Sequence, residues 1–163
     1  MIRSCLHRYS IISDELEKFA APFFAFAMRF WIGLIFFRSG LQKVGDWEST
    51  IFLFEDEYKL PLLSPQFAAA IATTFELAMP VLLFFGLATR LSALPLLSMA
   101  VVIQFVLGAS NPDYFHVEHY YWMFLLSFII IFGPGKLSLD YVLKHRLGLM
   151  TEKPIQAADD ASA

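Results

Sequence analysis

The chain has 163 residues, few enough for a single domain, and its composition excludes several functional classes. Hydrophobic residues make up 58% of it, more than a soluble domain usually carries. The net charge is −3 and no basic stripe alternates with aromatic residues, so nucleic acid is not an expected partner. The single cysteine, Cys5, excludes an internal disulfide or a thiol relay within the chain.

The apolar residues are concentrated in four blocks, which predict four membrane-spanning helices. Residues 19–41 and 65–85 are each long enough to cross the ~30 Å hydrocarbon core of a bilayer. A third span is predicted at 91–108. The uncharged part of the fourth block is too short to cross alone, so this helix is expected to begin near residue 115. The Gly-Pro-Gly sequence at 133–135 is expected to end it.

These blocks predict an all-α fold, a membrane-embedded four-helix bundle with short interfacial helices. Residues 1–18 are expected to form a short surface helix or a loose tail, followed by a membrane domain over 19–135. An aromatic helix capped by Asp46 is expected to lie in the membrane interface. An amphipathic helix is predicted over 136–150, and the polar tail 151–163 is expected to be disordered.

The basic residues predict the orientation of the bundle. Eight lysines and arginines fall on the side of the two termini and the 86–90 turn, whereas the opposite loops hold Lys43 and Lys59. By the positive-inside rule, both termini and this turn face the cytoplasm. Residues 1–18 lack the apolar core of a signal peptide, so the first hydrophobic block is expected to remain as an anchor.

Two formal charges, Arg29 and Glu76, fall in the middle of apolar segments. Counted along each helix from the outer ends of the first two spans, they lie ~18 Å and ~16 Å deep. An ionised group at that depth is costly, so we expect the two side chains to pair across neighbouring helices. Two interpretations remain open: a structural salt bridge that fixes helix pairing, or a site that binds a lipid headgroup or handles protons.

A second group of polar residues lies near the outer ends of the spans. Arg38 is expected to extend its side chain to lipid phosphates; alternatively, it lines the mouth of a cavity. The predicted cavity or ligand site comprises Arg38, Gln42, Lys43, Gln104 and Tyr121.

A weak metal site is predicted on the outer face. His116 and His119 are three residues apart and share a helical face, with Asp113 close by in the sequence. Two imidazoles and a carboxylate can hold zinc or copper; the alternative is a group of ordinary interfacial polar residues. The chain carries no nucleotide, phosphate-loop or hydrolase motif, so no self-contained catalytic motif identifies it as a complete enzyme.

Three motifs taken together resemble the DoxX family of small bacterial integral membrane proteins. They are MRFWIGLIFFRSGLQKVGDW, FELAMPVLLFFGLATR and FGPGKLSLDYVL, and the resemblance extends over residues 27–143. The resemblance implies a four-helix bundle in the bacterial cytoplasmic membrane, linked to redox chemistry. The family includes subunits of thiosulfate:quinone oxidoreductase and partners of detoxification enzymes. The residues that match the family motifs are Arg29, Gly33, Gly40, Lys43, Glu76, Gly86, Arg90, Gly135, Ser138 and Asp140.

The sequence and the resemblance together predict a multi-pass membrane component of a redox or stress-response system that is linked to quinone. In that role it would be an oxidoreductase subunit whose partners are the lipid bilayer and a soluble or membrane-bound redox protein. One alternative is a non-catalytic platform that recruits a soluble enzyme through the basic C-terminal helix. Another is a transporter or metal-handling protein that uses His116 and His119.

Overall fold

The structure is a computed structural model that describes residues 2–58 and 63–149, and helices make up most of these two segments. Two of the α-helices, α2 and α4, run directly into a π-helical turn. The α-helices are α1 (Ile2–Gly45), α2 (Trp47–Phe52), α3 (Pro65–Phe85), α4 (Thr89–Val101), α5 (Gly108–Ser110), α6 (Val117–Phe132) and α7 (Leu139–Arg146). The π-helical turns are Leu53–Tyr58 and Val102–Leu107, and Pro112–Tyr114 forms a short 3₁₀-helix.

Four of these helices pack into a bundle. Helix α1 packs against α3, α3 against α4, α4 against α6, and α6 against α1, which closes a ring. The core between them is apolar and includes Ile32, Phe36, Leu83, Leu96 and Leu126. Because the described residues form helices and no strand, the predicted all-α bundle is confirmed.

The exterior of the bundle is suited to a membrane. Among the described residues, Lys18–Gly45, Pro65–Phe85 and Thr89–Leu107 are long and apolar enough to span a bilayer. The fourth apolar helix is the 16-residue α6. It begins at Val117 rather than near residue 115, because His116 is extended and serves as its N-cap.

Residues 2–18 do not form a separate element. They are the first turns of the 44-residue helix α1, which carries Pro22 in its interior. No glycine or proline precedes Pro22, so the sequence contains no helix breaker that would separate a surface helix from the first span. The predicted tail 151–163 lies outside the described residues.

Helices α1 and α3 are offset from each other along their axes. Gly40 of α1 lies against α3, where an added Cβ would be 2.9 Å from Leu77 and 3.1 Å from the Cβ of Glu76. With this register, the first turns of α3 extend past the end of α1. They pack instead against the π-helical turn after α2, where Phe54 joins Ala68 and Ala69 in a second apolar cluster.

Candidate functional site: an ion pair in a lipid-facing cavity

A buried ion pair joins α1 to α3. The ammonium of Lys43 donates hydrogen bonds to both carboxylate oxygens of Glu76, at 2.7 and 2.9 Å. Its remaining N–H donates to the hydroxyl of Ser39, one turn earlier, at 2.9 Å. The Lys43 side chain is 15% exposed and the Glu76 side chain 5%. All three donors of the ammonium are therefore satisfied, whereas the carboxylate keeps further acceptor capacity.

The predicted pairing of Arg29 with Glu76 is wrong. The depth estimate treated residue 41 and residue 65 as level, but in the structure Gly40 lies opposite Glu76. The two helices are thus shifted by ~10 residues, or ~15 Å at the helical rise, relative to the expected register. The shift brings Lys43, which the sequence analysis placed at the mouth of a cavity, to the carboxylate in place of Arg29.

Arg29 lies at the other end of α3 and binds backbone carbonyls. Its guanidinium donates to the carbonyl of Leu83 at 3.1 Å, to that of Ala25 at 3.3 Å and to that of Leu137. The side chain is almost fully buried, with the whole residue 1% exposed. The last carbonyls of a helix lack intrahelical partners and carry partial negative charge, so a guanidinium is favourable at this end of α3.

The three sequence motifs meet around Arg29, in a group of residues that we call the turn cluster: Arg29, Gly86, Ser138 and Asp140. Gly86 has a φ of +65°, and a Cβ there would overlap the guanidinium. The Asp140 carboxylate accepts hydrogen bonds from Ala88 N and Thr89 N at 2.8 and 2.9 Å, which caps the start of α4. The turn cluster therefore holds the start of α7 against the turn between α3 and α4.

A cavity of about 240 Å³ opens beside the ion pair. Lys43 and Glu76 line it together with apolar side chains of α3, α4 and both π-helical turns. Three of its lining residues, Ile71, Phe75 and Val102, are 36–37% exposed on the outer surface of the bundle. In a bilayer the cavity would therefore open towards hydrocarbon. π-Helical turns are rare and frequently occur at functional sites.

Tyr58 gives this cavity a hydrogen-bonding group that the sequence analysis missed. Its ring packs edge-on against Phe54, with centroids 4.8 Å apart. Burial and the negative charges of Glu76 and Glu57 raise the pKa of Tyr58 to about 12. The hydroxyl therefore stays protonated near neutral pH and can act as a donor. No local sequence signal points to Tyr58, because its position depends on how the π-helical turn packs on α3.

The other predicted cavity residues lie elsewhere. Gln42 lines a separate crevice at the start of α2, which Lys43 also borders. Gln104 is fully buried, and its side-chain oxygen accepts a hydrogen bond from the backbone N–H of His116. Arg38 and Tyr121 are exposed. Of the five predicted residues, the structure places Lys43 on the cavity and the other four off it.

The three predicted metal ligands are not assembled into one site. His119 is buried, with its Nδ1 2.8 Å from the side-chain oxygen of Gln104, and its ring lies 5.7 Å from that of the exposed His116. Asp113 belongs to the 3₁₀-helix before α6 and His116 is the extended N-cap of α6, so the three residues do not share a helical face. The described segments contain no group of three His, Cys, Asp or Glu residues that could hold an ion. Metal binding by the two histidines alone stays a prediction.

The fold and the apolar surface define a multi-pass α-helical membrane protein. The chain belongs to the DoxX family, whose match covers residues 24–109, more than half of its length. A relative from Haemophilus influenzae, named "Uncharacterized protein", is 32% identical over 126 residues, which cover 72% of this chain and 81% of the relative. No solved structure matches the chain.

Proposed function

We propose that this protein is the membrane component of a redox or stress-response system, and that its cavity binds the ring of a quinone or a related apolar carbonyl compound. The observation that carries the proposal is a buried ion pair on the wall of a lipid-facing apolar cavity. Burying charged residues beside hydrocarbon costs free energy, which favours a binding role for this ion pair over a purely structural one. A soluble or membrane-bound redox protein would exchange electrons with the bound ligand.

The groups on the cavity wall suit both forms of a quinone. The Tyr58 hydroxyl can donate to a ring carbonyl, and the Glu76 carboxylate can accept from a quinol hydroxyl. Ligand pockets usually enclose ~300–1,000 Å³, so this smaller cavity suits a ring whose tail stays in the lipid. The half-exposed rim formed by Ile71, Phe75 and Val102 would let the tail leave towards hydrocarbon.

Filling the cavity is expected to weaken quinone binding. Ala72 lines the cavity, so Ala72→Leu places a larger side chain inside it. Ala70 is half-buried on the same helix but does not line the cavity, which makes Ala70→Leu the matched control. In lipid nanodiscs, we expect Ala72→Leu to bind a short-chain quinone at least ~10-fold more weakly, a loss of ~1.4 kcal/mol. Undetectable binding by the parent protein, or equal affinity in both variants, would refute the proposal.

We also propose that the protein lies in the bacterial cytoplasmic membrane with both termini and the 86–90 turn in the cytoplasm. The support is the distribution of lysine and arginine. In a Cys5→Ser background, cysteines at positions 57 and 116 are expected to react with a membrane-impermeant thiol reagent in intact cells. A cysteine at position 90 is expected to react only after lysis. The reverse pattern would invert the orientation.

A second candidate is a platform that recruits a soluble enzyme through α7. This helix exposes Leu139, Val142 and Leu143 together with Lys144 and Arg146. Such a surface fits an acidic partner at the membrane face. Deleting the region would also remove Ser138 and Asp140 from the turn cluster, so charge reversal of Lys144 and Arg146 is the cleaner test. If the protein is a platform, the charge-reversed variant should no longer copurify with its partner, and its quinone affinity should be unchanged.

A further inference from the structure

We propose that Lys43 is a proton-carrying junction between the lipid-facing cavity and a polar crevice that opens to water. The inference deepens the proposed function, because it assigns to the same site a route for protons. Two separate openings are both lined by this residue. The cavity is lined by apolar residues beside Glu76, whereas the crevice is lined mainly by polar residues.

The crevice lies where α1 ends and α2 begins. It measures about 330 Å³ and is lined by Ser39, Gln42, Lys43, Asp46, Ser49, Thr50 and Leu53. Gln42, Asp46 and Ser49 are exposed, so the crevice is accessible from the aqueous side of the interface. Lys43 thus lies between this polar crevice and the carboxylate of Glu76, whose side chain is 5% exposed.

The charges at the crevice favour proton entry. Asp46 caps α2 by accepting hydrogen bonds from the backbone N–H and the hydroxyl of Ser49, at 3.1 and 2.7 Å. Those bonds lower the pKa of Asp46, so the residue stays an anion at the crevice wall. The titratable groups that line the two openings are Lys43 from α1, Asp46 before α2, Tyr58 from the π-helical turn and Glu76 from α3.

The transfer has two balanced steps. In the first, an N–H bond of the Lys43 ammonium breaks and an O–H bond forms on Glu76, which leaves a neutral amine and a neutral carboxyl group. In the second, hydronium in the crevice gives its proton to the amine and restores the ammonium. The reverse order carries a proton from Glu76 to water. The 2.7 Å contact between Nζ and the carboxylate is short enough for direct transfer.

The chemistry of the junction requires lysine rather than arginine. A lysine ammonium can release its proton when it is desolvated, whereas a guanidinium stays protonated in proteins. Lys43→Arg keeps the positive charge and the ion pair but removes the group that can release and take up a proton. This substitution therefore separates proton transfer from structural pairing.

The first experiment tests access and needs no ligand. In a Cys5→Ser background in nanodiscs, Ser39→Cys tests the crevice and Ala72→Cys tests the cavity, with Ala70→Cys as the control that lines neither. We expect a charged thiosulfonate reagent to modify Ser39→Cys at least ~10-fold faster than the other two variants. An apolar maleimide should reach Ala72→Cys. An unreactive Ser39→Cys, or equal rates for the charged reagent at positions 39 and 72, would overturn the junction.

The second experiment tests the carrier. After an acid pH jump, the infrared band of protonated Glu76, assigned by its loss in Glu76→Gln, should appear at least ~10-fold more slowly in Lys43→Arg than in the parent protein. An equal rate in Lys43→Arg would overturn the proposal. Both readouts are independent of quinone. If the Ala72→Leu binding test fails but these two experiments give the expected results, the quinone proposal is refuted and the proton-transfer proposal for Lys43 stands.

Discussion

Replacing Lys43 with methionine is expected to lower the free energy of unfolding by ~3–5 kcal/mol, because the buried carboxylate of Glu76 loses its counter-charge. Glu76→Leu is expected to cost less, since the stranded ammonium lies at the crevice and can reach water. The double variant Lys43→Met/Glu76→Leu should be at least as stable as the parent protein, because two apolar side chains replace two desolvated charges. Unfolding in bicelles, arranged as a double-mutant cycle, measures the coupling between the two sites.

The chain supplies its own control for this cycle. Glu15 and Lys18 form an ion pair of 2.9 Å, but their side chains are 53% and 60% exposed. An exposed pair contributes little, so its cycle should give a coupling close to zero. Coupling between Lys43 and Glu76 no larger than that of the exposed pair would contradict the burial argument. A stable double variant that no longer binds quinone would show that the pair is kept for its ligand.

The sequence predicted the local features of the fold well. The second span was expected over 65–85, and α3 is Pro65–Phe85. Asp46 was expected to cap a short aromatic helix, and its side chain accepts from Ser49 N at the start of α2. Gly133 was expected to end the last span, and it forms the C-cap of α6. Each of these features depends on residues within a turn or two, and the sequence contains them all.

The register between the spans was not predictable in the same way. Counting depth from the ends of two apolar segments assumes that the segments are level. The π-helical turn after α2 covers the first turns of α3, so α3 extends past the end of α1. Nothing in the local sequence distinguishes a covered apolar turn from one that faces lipid. The wrong register led to the wrong prediction that Arg29, and not Lys43, pairs with Glu76.

One sequence signal pointed to the correct pair. Gly40 and Lys43 share a face of the first span, and the glycine allows the close approach that brings Glu76 within reach of the lysine. Lys43 was placed near the outer interface, where a lysine usually extends towards water. Its long side chain turns inward instead, because Glu76 needs a counter-charge that nothing else at that level of the described bundle supplies.

Arg29 is expected to stabilise the fold through hydrogen bonds to backbone carbonyls, and not through the predicted ion pair with Glu76. Arg29→Met removes the donors of two tertiary hydrogen bonds. The carbonyl of Leu83 keeps its bond from the backbone N–H of Gly86, whereas the carbonyl of Leu137 loses its donor. An acceptor that loses its donor costs ~1–3 kcal/mol, so the expected loss of stability is ~1–3 kcal/mol. Arg29→Lys should recover part of it, because one ammonium cannot reproduce the planar fork of a guanidinium.

Arg38 provides the matched control, since it is an exposed arginine on the same helix. Arg38→Met should change stability by no more than ~0.5 kcal/mol. Protease digestion should then cleave Arg29→Met between α6 and α7 sooner than Arg38→Met, because Arg29 holds the carbonyl of Leu137 in that segment. Quinone affinity in folded Arg29→Met should equal that of the parent protein, since the turn cluster and the cavity occupy opposite ends of α3. Equal stability of the two methionine variants would refute this account of Arg29.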